Sequence, residues 1–186
     1  MSYISSEGLS WRGLLKGFPK ATNIMQPLFE AFTNSLEAID MRKKRGDSFL
    51  PYIYLDFYFN HNIENENDGL SRLTITDNGI GFDDDNFNRL KVFKDDTKGY
   101  DNRGSGRIQL IHSFITATYE SVYMQGEIYK FRKFILSRAE SFLQQNSILR
   151  LEEDRIADNN SEIKTILELD DLRAKSDIKY FNSLEI

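Results

Sequence analysis

Between Leu28 and Asp40, in the stretch LFEAFTNSLEAID, apolar residues recur at helical spacing. At about 100° per residue, Leu28, Phe32 and Ile39 share one side, while Glu30, Asn34 and Glu37 fall within about 60° of one another on the opposite side. Thr22 or Asn23 can cap this helix, Pro27 is tolerated only near its beginning, and Gly46 and Asp47 stop it after about Arg45. Residues 51–60, PYIYLDFYFN, alternate and are rich in aromatics, which predicts a strand. After the polar loop HNIENENDG, Arg72–Thr76 predicts a second short strand, the two forming a hairpin with a long loop.

Phe82 to about Phe93 reads as a helix with Asp83, Asp84 and Asp85 in its first turn, where carboxylates suit the helix dipole. From Lys94 to Gly106, KDDTKGYDNRGSG is polar, charged and glycine-rich with no apolar period, a long loop of the kind that serves as a functional lid. It leads into a helix over Arg107–Phe114. Strands follow at Thr116–Met124 and Glu127–Leu136, paired about Gly126, and at Ser147–Leu151 and Ile163–Leu169. Residues 1–20 read as an irregular arm with a turn or two of helix around Leu9–Leu15, and Asp170–Ile186 as the start of another helix. The order predicts one α/β domain over 21–186, a two-layer sandwich whose mixed, mostly antiparallel sheet carries helices on one face.

Composition narrows the function classes. Hydrophobic residues make up 40 % of the 186, with 14 Phe and 9 Tyr, so the chain is expected to bury a real core. A net charge of −5 argues against a dedicated nucleic-acid grip. The absence of cysteine excludes disulfides, zinc–thiolate sites and a cysteine nucleophile. Neither a signal peptide nor a membrane-length apolar run is visible, so the expectation is a cytoplasmic protein without a membrane partner.

Three polar stations carry the candidate chemistry. Glu30 followed one turn later by Asn34 is by itself an ordinary solvated helix face. Flanked by Phe29, Ala31 and Ala38, it becomes a pocket lining in which a carboxylate can orient water and an amide oxygen can hold a metal ion. Asp77-Asn78-Gly79-Ile80-Gly81 ends the second strand, and the glycine-rich lid presents free backbone N–H groups to an anion, without the Gly-Lys-Ser/Thr of a P-loop.

Glu-Ala-Phe-Thr-Asn-Ser-Leu-Glu-Ala at 30–38, Asp-Asn-Gly-Ile-Gly at 77–81 and Arg-Gly-Ser-Gly-Arg at 103–107, in that order, resemble the motifs of the GHKL ATPases. That superfamily comprises gyrase-type topoisomerases, ninety-kilodalton heat-shock chaperones, histidine kinases and MutL. The resemblance covers nearly the whole chain and implies the Bergerat ATP-binding fold with ATP and Mg²⁺ as cofactors. It implies that Glu30 orients or deprotonates the attacking water, that Asn34 is the protein ligand of Mg²⁺, and that Asp77 accepts a hydrogen bond from the adenine amino group. Gly79 and Gly81 would let the backbone approach the base. Gly104, Ser105 and Gly106 would wrap the phosphates, with Lys98, Arg103 or Arg107 supplying charge. Thr165 best matches a late-strand threonine beside the aspartate. Two departures stand out: Glu37 where many members carry aspartate, and Lys164 where a glycine usually precedes the threonine.

The resemblance further implies an ATP-dependent homodimer, and other protein or nucleic-acid partners reached through domains outside this chain, for which it would be the N-terminal engine. Two alternatives to hydrolysis remain: a nucleotide-gated interaction module with negligible turnover, and phosphotransfer of the histidine-kinase type. The latter needs an acceptor histidine on a preceding helical hairpin, and neither His61 nor His112 suits.

Overall fold

The computed structural model describes residues 1–5, 10–61, 67–91, 106–159, 161–174 and 177. In chain order the elements are β1 (Ser2–Ile4), α1 (Trp11–Gly17), α2 (Gln26–Lys44), β2 (Ile53–His61), β3 (Asn67–Asp77), α3 (Asp84–Lys91), α4 (Gly106–Ser113), β4 (Phe114–Gln125), β5 (Ile128–Leu136), α5 (Glu140–Leu143), β6 (Leu149–Ile156) and β7 (Lys164–Leu172). The strands form one seven-stranded sheet in the order β1-β6-β5-β4-β7-β3-β2. Every pairing is antiparallel, so the expected mixed sheet is antiparallel throughout the described strands.

Register explains the core. On one face, Phe57, Leu73, Leu169, Ala117, Leu136, Leu149 and Ile4 stand side by side across all seven strands. The next row on that face is Leu55, Ile75, Leu167, Tyr119, Phe134 and Leu151. Because strand side chains alternate between faces, these two apolar rows make a continuous floor. Trp11 of α1, Leu28 and Ala31 of α2, Phe87 of α3 and Leu110 and Ile111 of α4 bury themselves in it. The opposite face carries ion pairs instead, Arg72 with Glu168 and Asp170 and Lys133 with Glu120. Four helices thus share one face. The short α5 departs from this: its Phe142 meets the edge of Tyr3 and lies under the Arg150 guanidinium, both on the polar-face register.

Within residues 1–20 the expected turn or two of helix is α1, and the segment before it is more regular than expected. Ser2–Ile4 pairs with β6 at the sheet edge, the Ile4 carbonyl accepts from Ser147 Oγ at 2.6 Å, and Trp11 is buried. Fully burying an apolar side chain of this size stabilises by roughly 2–3 kcal/mol, enough to dock the segment on its own domain.

Helix α2 also faces its core differently. The buried stripe is Leu28, Ala31, Ser35 and Ile39, whereas Phe32 is 36 % exposed. Small residues at 31, 35 and 38 let the helix lie close to the β3 end, and the bulkier Phe29, Phe32 and Leu36 are left on an exposed flank. No described helix is long and apolar enough to cross a membrane.

Candidate functional site

Beyond the two apolar rows, the helix-facing register continues as a polar one. Asp77 of β3, Thr165 of β7, Ser121 of β4, Arg132 of β5 and Asp154 of β6 are successive cross-strand neighbours. Polar groups in such a row are tolerated under helices only when partnered, and each of the five has a hydrogen-bond or register partner that fixes it.

Asp77 is the focus. It is 5 % exposed; Oδ1 accepts from the Gly79 N–H at 2.8 Å and Oδ2 from Ser35 Oγ at 2.8 Å. Burial pushes its pKa up to about 6 despite those two hydrogen bonds, which act in the other direction. Each carboxylate oxygen has two lone pairs, so both keep capacity for a further donor.

The turn after Asp77 is clamped between α2 and β4. The Ile80 N–H donates to the Ala38 carbonyl at 3.0 Å, and a Cβ on Gly79 would fall 2.5 Å from Ala38 Cβ. Gly81 adopts φ +74°, and a Cβ there would fall 2.8 Å from Ser121 Oγ. Asn78 is engaged on the side of residues 50–52: its Oδ1 accepts from Tyr52 N, its Nδ2 donates to the Leu50 carbonyl, and its own carbonyl accepts from Arg42. Phe82 then inserts its ring edge-on against Tyr119 and Phe134, anchoring the turn in the core.

The other end of α2 meets α4. A Cβ on Gly106, the first residue of α4, would fall 2.6 Å from Glu30 Oε2. Glu30, half-buried, lies against the positive end of that helix while its Oε1 accepts from Gln26 Nε2 at 2.8 Å. Asn34, one turn on, is exposed. Helix α2 thus meets Gly106 through Glu30 and, about a turn and a half further on, Asp77 through Ser35. Arg107 turns away from them, donating to the Leu90 carbonyl at the end of α3. Lys98, Arg103, Gly104 and Ser105 lie outside the described residues.

Thr165 sits beside Asp77 in register and is buried. Its Oγ1 lies 2.9 Å from Ser121 Oγ, which also accepts from the Phe82 N–H at 3.1 Å. Arg132, 3 % exposed, holds the same turn from the other side. Its guanidinium donates to the Phe82 carbonyl at 2.8 Å, to Asp84 at 2.7 Å and to Asp154 at 2.7 Å. Ser35, Ser121 and Arg132 were not singled out in the sequence. The available signal was parity: each falls on the buried periodicity of its element, beside Leu28 and Ile39, Tyr119 and Tyr123, or Phe134 and Leu136.

Two of the three aspartates at 83–85 have partners of their own at the start of α3. Asp83 Oδ1 caps α3 by accepting the Asn86 N–H at 2.9 Å, and Asp84 pairs with Arg132. Among the described residues no group of three or more His, Asp or Glu is placed to hold an ion. His112 is buried and structural: Arg138 lies 2.8 Å from Nδ1, which makes Nδ1 the acceptor and lets Nε2–H donate to the Phe18 carbonyl at 2.6 Å. Burial lowers its pKa, in keeping with a neutral ring.

No family model matches the chain, and no curated protein matches it in sequence.

Proposed function

We propose that the chain is a GHKL-type domain that binds ATP with Mg²⁺ and hydrolyses it. The observation that carries this reading is that one helix, α2, positions both ends of the candidate crevice. Ser35 fixes the buried Asp77 carboxylate, and five residues earlier, about 7.5 Å along the axis, Glu30 stands at the first turn of α4.

The residues fit the groups. Asp77 keeps lone pairs for an exocyclic amino group, which adenine offers and guanine lacks at the matching position. Asn34, exposed one turn from Glu30, offers a single amide oxygen, which suits an ion that retains waters and takes its other ligands from phosphates. Mg²⁺, when bound, supplies charge neutralisation at the phosphate oxygens. Glu30 orients the attacking water and receives its proton, and the N-terminal amides of α4 stabilise charge on the phosphate.

A binding module with negligible turnover is favoured by one observation: Glu30 Oε1 is already engaged by Gln26 within α2. Titration calorimetry with ATP and GTP, with and without Mg²⁺, tests the binding, and phosphate release separates the two readings. Preference for ATP is expected; no heat with either nucleotide sinks the proposal. An ATP-dependent homodimer and partners on further domains belong to the same reading, as does a cytoplasmic location.

A further inference from the structure

Resting on the nucleotide reading above, we propose that Ser121 is a positioning residue for base specificity. In this role it directs the Thr165 hydroxyl proton into the crevice beside Asp77.

The argument is a count of protons. Ser121 and Thr165 are cross-strand partners, 0 % and 6 % exposed, with their hydroxyl oxygens 2.9 Å apart. Two hydroxyls bring two protons, and only one can lie between them. Were Thr165 the donor, Ser121 Oγ would accept both Thr165 and the Phe82 N–H. Its own proton would then need a third partner inside a fully enclosed site, and none of the described residues is bonded to it in that role. A buried donor left unmade is costly, and more so at Ser121, which is fully enclosed, than at Thr165, which keeps some exposure. Ser121 therefore donates to Thr165, and the Thr165 proton is released toward the row neighbour on its other side, Asp77.

The close packing around Ser121 makes this direction hard to reverse. The Gly81 backbone approaches so nearly that a Cβ would fall 2.8 Å from Ser121 Oγ, and Arg132 pins the Phe82 and Asp83 carbonyls on the far side. The hydroxyl cannot swing away without moving the turn that carries Gly79 and Gly81.

The consequence is an ordered pair: an acceptor at Asp77 and a donor at Thr165. Adenine presents an amino donor next to the N1 acceptor, the complement of that order. A 6-oxopurine presents an acceptor next to an N1–H donor, which opposes it at both positions. Ser121 touches neither base nor phosphate; it acts by deciding which way Thr165 points.

The test is calorimetry of the whole chain with ATP and with 1-deaza-ATP, which lacks the N1 acceptor, for the parent, Ser121→Ala, Ser121→Cys and Thr165→Val. The parent is expected to prefer ATP by roughly threefold to tenfold. Ser121→Ala and Thr165→Val are each expected to bring that ratio near one, and the double variant to lower it no further. Ser121→Cys, which keeps a weak donor of similar shape, is expected to retain part of the preference and serves in place of alanine if the alanine variant unfolds. An unchanged ratio in a folded Ser121 variant overturns the inference while leaving ATP binding intact. Failure of the parent to bind either triphosphate overturns the nucleotide reading itself.

Discussion

Ser35 Oγ donates to Asp77 Oδ2 at 2.8 Å across 42 residues of sequence, so the helix that carries Glu30 also holds the carboxylate delivered by β3. Among the described residues neither oxygen of Asp77 meets a cation, and burial raises its pKa from 3.8 to about 6. Between about pH 4 and 6 the folded state therefore holds a proton that the unfolded chain has lost. The associated stability is fully present below about pH 4 and is lost as pH rises through about 6, a change of roughly 3 kcal/mol for a shift of this size.

Asp77→Asn is expected to flatten that slope, because the amide can accept from Gly79 and donate to Ser35 without ionising. Urea unfolding at intervals from pH 4 to 8 measures it: the parent loses stability between pH 4 and 6 and the variant does not. An equal slope in both proteins would show that Asp77 is ionised below pH 4 in the folded state.

Glu30→Ala and Asp77→Ala are expected to fail in different ways. In the proposed reading Glu30 serves the attacking water, so its loss should leave ATP affinity within a few-fold and lower turnover by about 10²–10⁴. In the same reading Asp77 holds the base, so its loss should abolish binding. Calorimetry and phosphate release on the two purified variants make the comparison. Hydrolysis at the parent rate by Glu30→Ala removes the assignment of the base.

Gly79→Ala should destabilise by roughly 1–3 kcal/mol through overpacking, since the new Cβ meets Ala38 Cβ at 2.5 Å and the Ala38 backbone carbon at 2.7 Å. Ala38→Gly removes only the first of these contacts and itself costs about 1 kcal/mol in a helix interior. The double variant is therefore expected to recover part of the loss at most. Denaturation midpoints for the four proteins decide it, and full stability of Gly79→Ala would mean that the turn stands off from α2.

The elements of the site were readable because their signals are local. The 3.6-residue period of α2, the Asp-Asn-Gly-Ile-Gly turn and the glycines before α4 each lie within a dozen residues. The order of strands was not, because register joins residues far apart in the chain. Nothing near Ser121 announces that it will stand between Thr165 and Arg132. Residue type also misleads: Phe32 shares the apolar side with Leu28 and Ile39, yet Ala31 and Ser35 are what α2 buries beside those two, because the helix must approach Gly79 and Asp77. Arg132 was hidden for the converse reason, a cation on a buried parity that Asp84, Asp154 and two carbonyls of the 82–83 turn make tolerable. In the first residues the helix of α1 is legible and β1 is not, because a three-residue edge strand has too little sequence to show a period.

Helix α4 links Glu30 to the segment before α2, and this gives the dimer proposal a specific test. Its first residue meets Glu30, while Gln109 accepts from the Ala21 N–H at 2.8 Å and donates to the Pro19 carbonyl at 3.2 Å, and His112 bonds the Phe18 carbonyl. A shift of α4 on nucleotide binding would be passed to residues 18–21 through those bonds. Gln109→Ala removes two of them at a half-buried position distant from Asp77, so ATP affinity is expected to hold within about threefold, the loss of one or two hydrogen bonds elsewhere being of little direct consequence to binding. Dimerisation with a non-hydrolysable ATP analogue, read by sedimentation velocity, is expected in the parent and weakened about tenfold or more in the variant. A parent that stays monomeric with analogue bound ends the dimer proposal, and a variant that dimerises like the parent shows that α4 does not carry the coupling.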